Sequence, residues 1–88
     1  MSYCIKIQDR AIKSIKRISE PHKTVLKRKI ESLKNFTKDM PNIKALHGEY
    51  KGLYRVRVGA YRILFDVADR NTIIIMDIFA RKDGYRDS

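Results

Sequence analysis

The stretch that most limits what this chain can become is LYRVRVGAYRILFDV, Leu53 to Val67, where apolar residues alternate with charged ones on either side of Gly59-Ala60. Alternation with a period of two sends successive side chains to opposite faces of a strand. A glycine at the first central position of a two-residue loop suits a type II′ turn. The spacing therefore predicts a hairpin of Leu53–Val58 and Tyr61–Val67. Turning there sets Val58 opposite Tyr61, Arg57 opposite Arg62, Val56 opposite Ile63 and Arg55 opposite Leu64. Tyr54, Val56, Val58, Ile63 and Phe65 then share the core face, and Arg55, Arg57 and Arg62 the other. Like charges directly opposed across a hairpin cost up to about 1 kcal/mol a pair, so Arg57 facing Arg62 calls for a use.

The flanking residues supply the rest of a fold. Tyr3 to Gln8 alternates, with Tyr3, Ile5 and Ile7 facing one way, and reads as a first strand. Asp9 is placed to cap a short helix whose apolar stripe is Ile12 and Ile15 and whose wet side is Lys13, Lys16 and Arg17. Ser19 and Pro21 interrupt it. A second helix is predicted from about Glu20 to Phe36, burying Val25, Leu26, Ile30, Leu33 and Phe36. Lys38 to Gly52, with Pro41, Gly48 and Gly52, reads as a loop anchored by Leu46. After a turn at Asp69-Arg70-Asn71, Thr72 to Ala80 forms a last strand, and Arg81 to Ser88 a charged tail. Continuing the same alternation puts Ile74, Met76 and Ile78 in the core and Asp77, Phe79 and Arg81 on the arginine face. The expected fold is α+β, in the order β-α-α-β-β-β, with a helical hairpin on one face of an antiparallel-rich sheet.

Eighty-eight residues, 43% of them hydrophobic, with no Pro/Gly/Ser-rich break, suit one domain over residues 1–88. The charge decides the class of partner. Twenty Lys and Arg against 10 Asp and Glu leave a formal net charge of +10, which implies an anionic partner. A lone Cys4 forms no internal disulfide, and with His22 and His47 it makes no zinc-like set, so neither a metal nor another cofactor is expected. The apolar run Ile73 to Met76 is too short to span a bilayer, and MSYCIKIQDR has no apolar signal segment. The expected location is the cytoplasm, away from membranes.

Guanidinium groups bind phosphate oxygens two at a time and stay charged at biological pH, so several on one rigid sheet make a phosphate clamp. Phe79 and Tyr85 beside them suit base stacking, as single-stranded RNA is commonly held. The simpler reading of any one of these arginines is solvation of a sheet's outer face. Lys23, Lys27, Arg28, Lys29 and Lys34 on the second helix read as a solvated face or general electrostatic footprint. Tyr54 and Tyr61 read as core, Cys4 as structural and His47 as incidental.

The strand order, the Leu46-His47-Gly48 segment, the hairpin YRVRVGAYRILF at Tyr54 to Phe65 and the ending ARKDGYR at Ala80 to Arg86 together resemble the RelE/ParE toxin superfamily of toxin–antitoxin modules. The resemblance covers essentially the whole chain. Arg81 followed four residues later by Tyr85 points toward the RelE-like messenger-RNA endonucleases. The resemblance implies an enzyme that enters the ribosomal A site and drives a ribose 2′-hydroxyl onto the adjacent phosphate, leaving a 2′,3′-cyclic phosphate and a 5′-hydroxyl without a metal. It implies Arg57, Arg62, Arg81 and Tyr85 as the catalytic set, with Arg62 on the phosphate, Arg81 as general acid and Tyr85 orienting the substrate. Arg55, Lys51, Phe79 and Lys82 would bind RNA around them. Arg55 and Arg57 stand where well-understood relatives carry lysine, which leaves the general base open among Tyr85, Glu49, His47 and the ribosome itself. Ala80 likewise replaces a His or Lys common just before the arginine. The implied partners are the ribosome with its messenger and a cognate, acidic antitoxin. Two other readings fit the same residues: a ParE-like toxin that poisons DNA gyrase without hydrolysis, and an inactive basic RNA-binding module.

Overall fold

A computed structural model describes residues 2–81, so Lys82 and Tyr85 lie outside the described residues. The predicted hairpin is present with the predicted register. Strand β3 (Leu53–Val58) pairs antiparallel with β4 (Tyr61–Asp69), with Arg57 opposite Arg62 and Arg55 opposite Leu64. Gly59 has φ +59 while Ala60 does not enter the left-handed region, as the first and second central positions of a II′ turn require. On β4's other side lies β5 (Thr72–Ala80), also antiparallel.

Two strands complete the sheet. β1 (Cys4–Ile7) runs parallel to β5, pairing with Thr72 to Ile75, and a short β2 (Ile43–Ala45) pairs antiparallel with β3. The order is β1-β5-β4-β3-β2. β2 corrects the expectation of a loop from Lys38 to Gly52. Its three residues are too few for periodicity to reveal, and Asn42, at φ 67, turns the chain into it. A 3₁₀ turn over Gly48–Tyr50 follows in the same segment.

The first helix is as short as expected and the second is shorter than its pattern suggested. α1 (Asp9–Arg17) begins at Asp9, which makes no capping hydrogen bond but complements the positive end of the helix dipole, as Lys16 and Arg17 complement the other end. α1 buries Ala11 and Ile15, whereas Ile12 is 38% exposed, because the small Ala11 faces the sheet and Ile12, one residue on, is turned about 100° away. The second helix, α2 (His22–Ser32), gives way to a 3₁₀ turn at Leu33–Asn35. Leu26, Ile30, Leu33 and Phe36 are buried as expected, while Val25 is 47% exposed, beside Leu26 but outside the stripe.

Glu20 lies outside α2 and acts as its cap. Its Oε1 accepts from the Thr24 backbone N–H at 3.0 Å and the Thr24 hydroxyl at 2.6 Å. These two bonds hold its carboxyl below the ordinary glutamate range. A depressed folded pKa means the cap stabilises fully above the unfolded value and is lost as pH falls through the folded one. Titrating the Thr24 amide resonance is expected to show a midpoint below that of an unperturbed glutamate, and Glu20→Gln to abolish the transition.

In β5, the expected core of Ile74 and Met76 is corrected to Ile73 and Ile75, both fully buried, with Ile78 buried as expected. The cause is an irregularity in the ladder. Leu64 pairs with Asp77 but Phe65 with Ile75, leaving Met76 as an extra residue that reverses the alternation. β1 is more exposed than its alternation implied: Ile5 is half-buried against the core and Ile7 is 38% exposed. Both helices pack on one face of the sheet, over a core centred on Val56, Ile63 and Phe65. The opposite face carries the arginines.

Candidate functional site

Pairing across three strands builds the site. Arg57 on β3 lies opposite Arg62 on β4, and Arg62 lies opposite Phe79 on β5, so one row crosses the sheet on the face away from the helices. Directly opposed residues have Cβ atoms about 5 Å apart, which sets Arg62 midway between Arg57 and Phe79 in a row about 10 Å long. Arg81 follows immediately. Its backbone N–H donates to Ala60 O at 2.8 Å, tying the end of β5 to the hairpin turn and setting an exposed side chain beside the row.

The next row holds Lys44, Arg55, Leu64 and Asp77. Arg55 is 7% exposed and donates from Nη1 to Asn42 O at 2.8 Å, and the same carbonyl accepts from Arg57 N–H at 3.1 Å. Arg55 thus fastens the segment before β2 to the sheet while adding fixed positive charge behind the row. Arg62 is also buried, at 8% exposure, whereas Arg57 and Arg81 are exposed. The expected open cationic surface is therefore graded, with two arginines set into the sheet and two standing out.

Other expected residues lie elsewhere. Leu46 N–H donates to Leu53 O at 2.9 Å, which places His47, Glu49 and Lys51 at the opening of β3. Arg57 is four residues farther along that strand, roughly 13 Å away. Neither proton-carrier candidate, His47 or Glu49, adjoins the Arg57–Arg62–Phe79 row, and Lys51 is likewise at the far end. Lys44 and Asn42 were missed by sequence reasoning. Only the short β2 brings Lys44 beside Arg55, and the one local signal for Asn42 was its position after Pro41, where asparagine tolerates a positive φ. Among the described residues no three His, Cys, Asp or Glu side chains gather as a metal would require, and no helix is long and apolar enough to cross a membrane.

A mixed five-stranded sheet with helices on one face and an arginine row on the other defines a small α+β domain that presents fixed positive charge on a rigid surface. Residues 5–85 match the family described as the ParE toxin of the type II toxin–antitoxin system, parDE. RelE1 of Methanocaldococcus jannaschii is 31% identical over 86 residues, covering 96% of this chain and 94% of that protein. The RelB–RelE antitoxin–toxin complex of Methanococcus jannaschii contains a chain that superposes with TM-score 0.71 at 29% identity, covering 88% of this chain and 91% of that one. The RelBE2 toxin–antitoxin complex of Mycobacterium tuberculosis shares the fold at TM-score 0.80 and 19% identity, covering 92% and 100%. The chain belongs to the ParE toxin family, within the RelE/ParE superfamily of type II toxin–antitoxin modules.

Proposed function

We propose that this toxin is a metal-independent endoribonuclease that cuts messenger RNA in the ribosomal A site. The observation that carries the reading is the register placing Arg57, Arg62 and Phe79 in one row beside Arg81. In-line attack by a 2′-hydroxyl loads negative charge onto the phosphorus centre, and catalysis then requires cations already in place as that charge develops. Arg62, held within the sheet, meets the non-bridging oxygens, and the exposed Arg57 adds to the field from the neighbouring strand. Arg81 protonates the departing 5′-oxygen, with Tyr85 orienting the substrate, leaving a 2′,3′-cyclic phosphate and a 5′-hydroxyl. Phe79 stacks on a base, and Arg55, Lys51 and Lys82 contribute to RNA binding. With His47 and Glu49 away from the row, the 2′-proton leaves to Tyr85 or to a group of the ribosome, which also holds the messenger in line.

The partner that restrains this activity is a cognate antitoxin. Relatives of the same fold are complexes with RelB-type antitoxins, and a net charge of +10 suits an acidic segment that folds on binding.

A translation reaction programmed with a defined messenger tests the proposal. New 5′ ends within the A-site codon are expected on adding the protein. An intact messenger together with blocked gyrase supercoiling would instead support the second reading, a gyrase-directed toxin, which the match to the ParE description favours.

A further inference from the structure

Beyond Ile75, β5 has no strand beside it on the β1 side among the described residues, because β1 ends at Ile7 and the chain turns into α1. α1 takes the vacant place. Between the helix and the free end of β5 lies a cleft of about 710 Å³, whose lining includes Arg10, Lys13 and Arg17 from the helix and Tyr61 and Phe79 from the sheet. Phe79 also belongs to the arginine row, so the cleft opens beside the candidate site.

We propose that this cleft is a second phosphate site, in which Arg10, Lys13 and Arg17 hold the backbone of the single-stranded RNA whose reacting phosphate lies at Arg62. The choice of RNA as ligand rests on the endonuclease reading above. Three observations carry the site itself. Arg10, Lys13 and Arg17 recur at intervals of three and four, so α1 stacks them along one face where like charges repel, and all three border the same cavity. One carboxylate stands against them in the lining, Asp77, and its Oδ1 is engaged by the Ser14 hydroxyl at 3.2 Å and the Ile78 N–H at 2.8 Å. The Ser14 proton is shared with Arg10 O at 3.0 Å, so this contact ties α1 to β5 and holds the cationic face over the cleft. Finally, Phe79 belongs both to the cleft lining and to the arginine row, and proteins commonly follow a single strand by stacking bases on aromatic residues while cations neutralise the neighbouring phosphates. Sequence periodicity placed Lys13 and Arg17 on a wet helix face. It carried no sign that this face overlooks the site.

The test is binding of a short fluorescein-labelled 2′-O-methyl oligoribonucleotide, which has no 2′-hydroxyl to react, to the full chain over a range of salt. The variant Arg10→Ala/Arg17→Ala is expected to weaken binding about tenfold at physiological salt and to flatten the log K against log salt slope by about 1.4, the loss of two single-strand phosphate contacts. A control, Lys27→Ala/Arg28→Ala, removes equal charge from the exposed side of α2 and is expected to leave that slope nearly unchanged. Equal losses from both variants would overturn the site in favour of diffuse attraction. Weakened binding of an acidic antitoxin with unchanged RNA binding would overturn it in favour of a protein partner. Lys13→Glu serves as a second probe should the double variant fold poorly. Because the assay involves no chemistry, a chain that binds RNA through α1 yet cuts no messenger would refute the endonuclease reading alone.

Discussion

Arg81→Ala is expected to slow messenger cleavage by about a hundredfold or more while leaving the fold intact. The rate estimate follows the usual worth of a positioned acid or of a cation at a developing oxyanion. The fold is spared because Arg81 is exposed and its structural tie to Ala60 O runs through the backbone N–H, which alanine retains. Arg62→Ala is expected to cost at least as much in rate. Arg62 is only 8% exposed, however, so its loss also disturbs packing, and Arg62→Lys is the informative companion. Lysine keeps the charge but not the paired donors, and an intermediate rate is expected if two phosphate oxygens are held at once. Primer extension on a translated messenger measures all three variants. Full cleavage by Arg81→Ala would remove Arg81 from the chemistry.

Phe65→Ala carries the largest expected cost in stability, about 3–5 kcal/mol, close to the whole reserve of so small a domain. Phe65 is fully buried and joins the tertiary aromatic cluster of the core. Its ring stacks on Tyr54 at 5.6 Å between centroids and meets Phe36 edge-on at 5.5 Å, while Phe36 also contacts Tyr54 and Tyr3. Removing it leaves a cavity and breaks two ring contacts, each worth roughly 1 kcal/mol beyond area burial. Urea denaturation should show the midpoint collapse. A loss under 1 kcal/mol would mean that the core closes over the gap.

The two results together separate the candidate site from the core. Phe65 and Arg62 are three residues apart in β4, on opposite sides of the sheet, and the substitutions are expected to act on different quantities. Loss of Arg81 changes rate with little effect on stability, and loss of Phe65 changes stability first.

That division was legible in the residues because a hairpin is local. Strict alternation and a glycine turn set both its register and its faces, and the four opposed pairs expected between β3 and β4 are those observed. The same reasoning failed in β5, where Ile73, Ile74, Ile75 and Met76 are apolar in both parities. The side chains could not report which parity faces inward, and the extra residue at Met76 answers to the partner strand alone. In the helices, periodicity found Ile15, Leu26, Ile30, Leu33 and Phe36 but could not choose Ala11 over Ile12, since closeness of approach to the sheet is a property of the packed pair.

The sequence by itself determined the excess positive charge, which is composition alone, and the arginine face, the hairpin and the order of the main elements, which depend on spacing within a few residues. Only the tertiary structure decided that Arg55 is spent on Asn42, that His47 and Glu49 stand away from the row, and that the cations of α1 border the same region as Phe79. The contact of Arg55 with Asn42 joins residues 13 positions apart and the cleft joins Arg10 to Phe79, 69 positions apart, and no local preference of the backbone encodes either. Of the three relations, the first follows from β2 pairing with β3, the second from the chain entering β3 at the end far from the row, and the third from α1 filling the place left where β1 stops short beside β5.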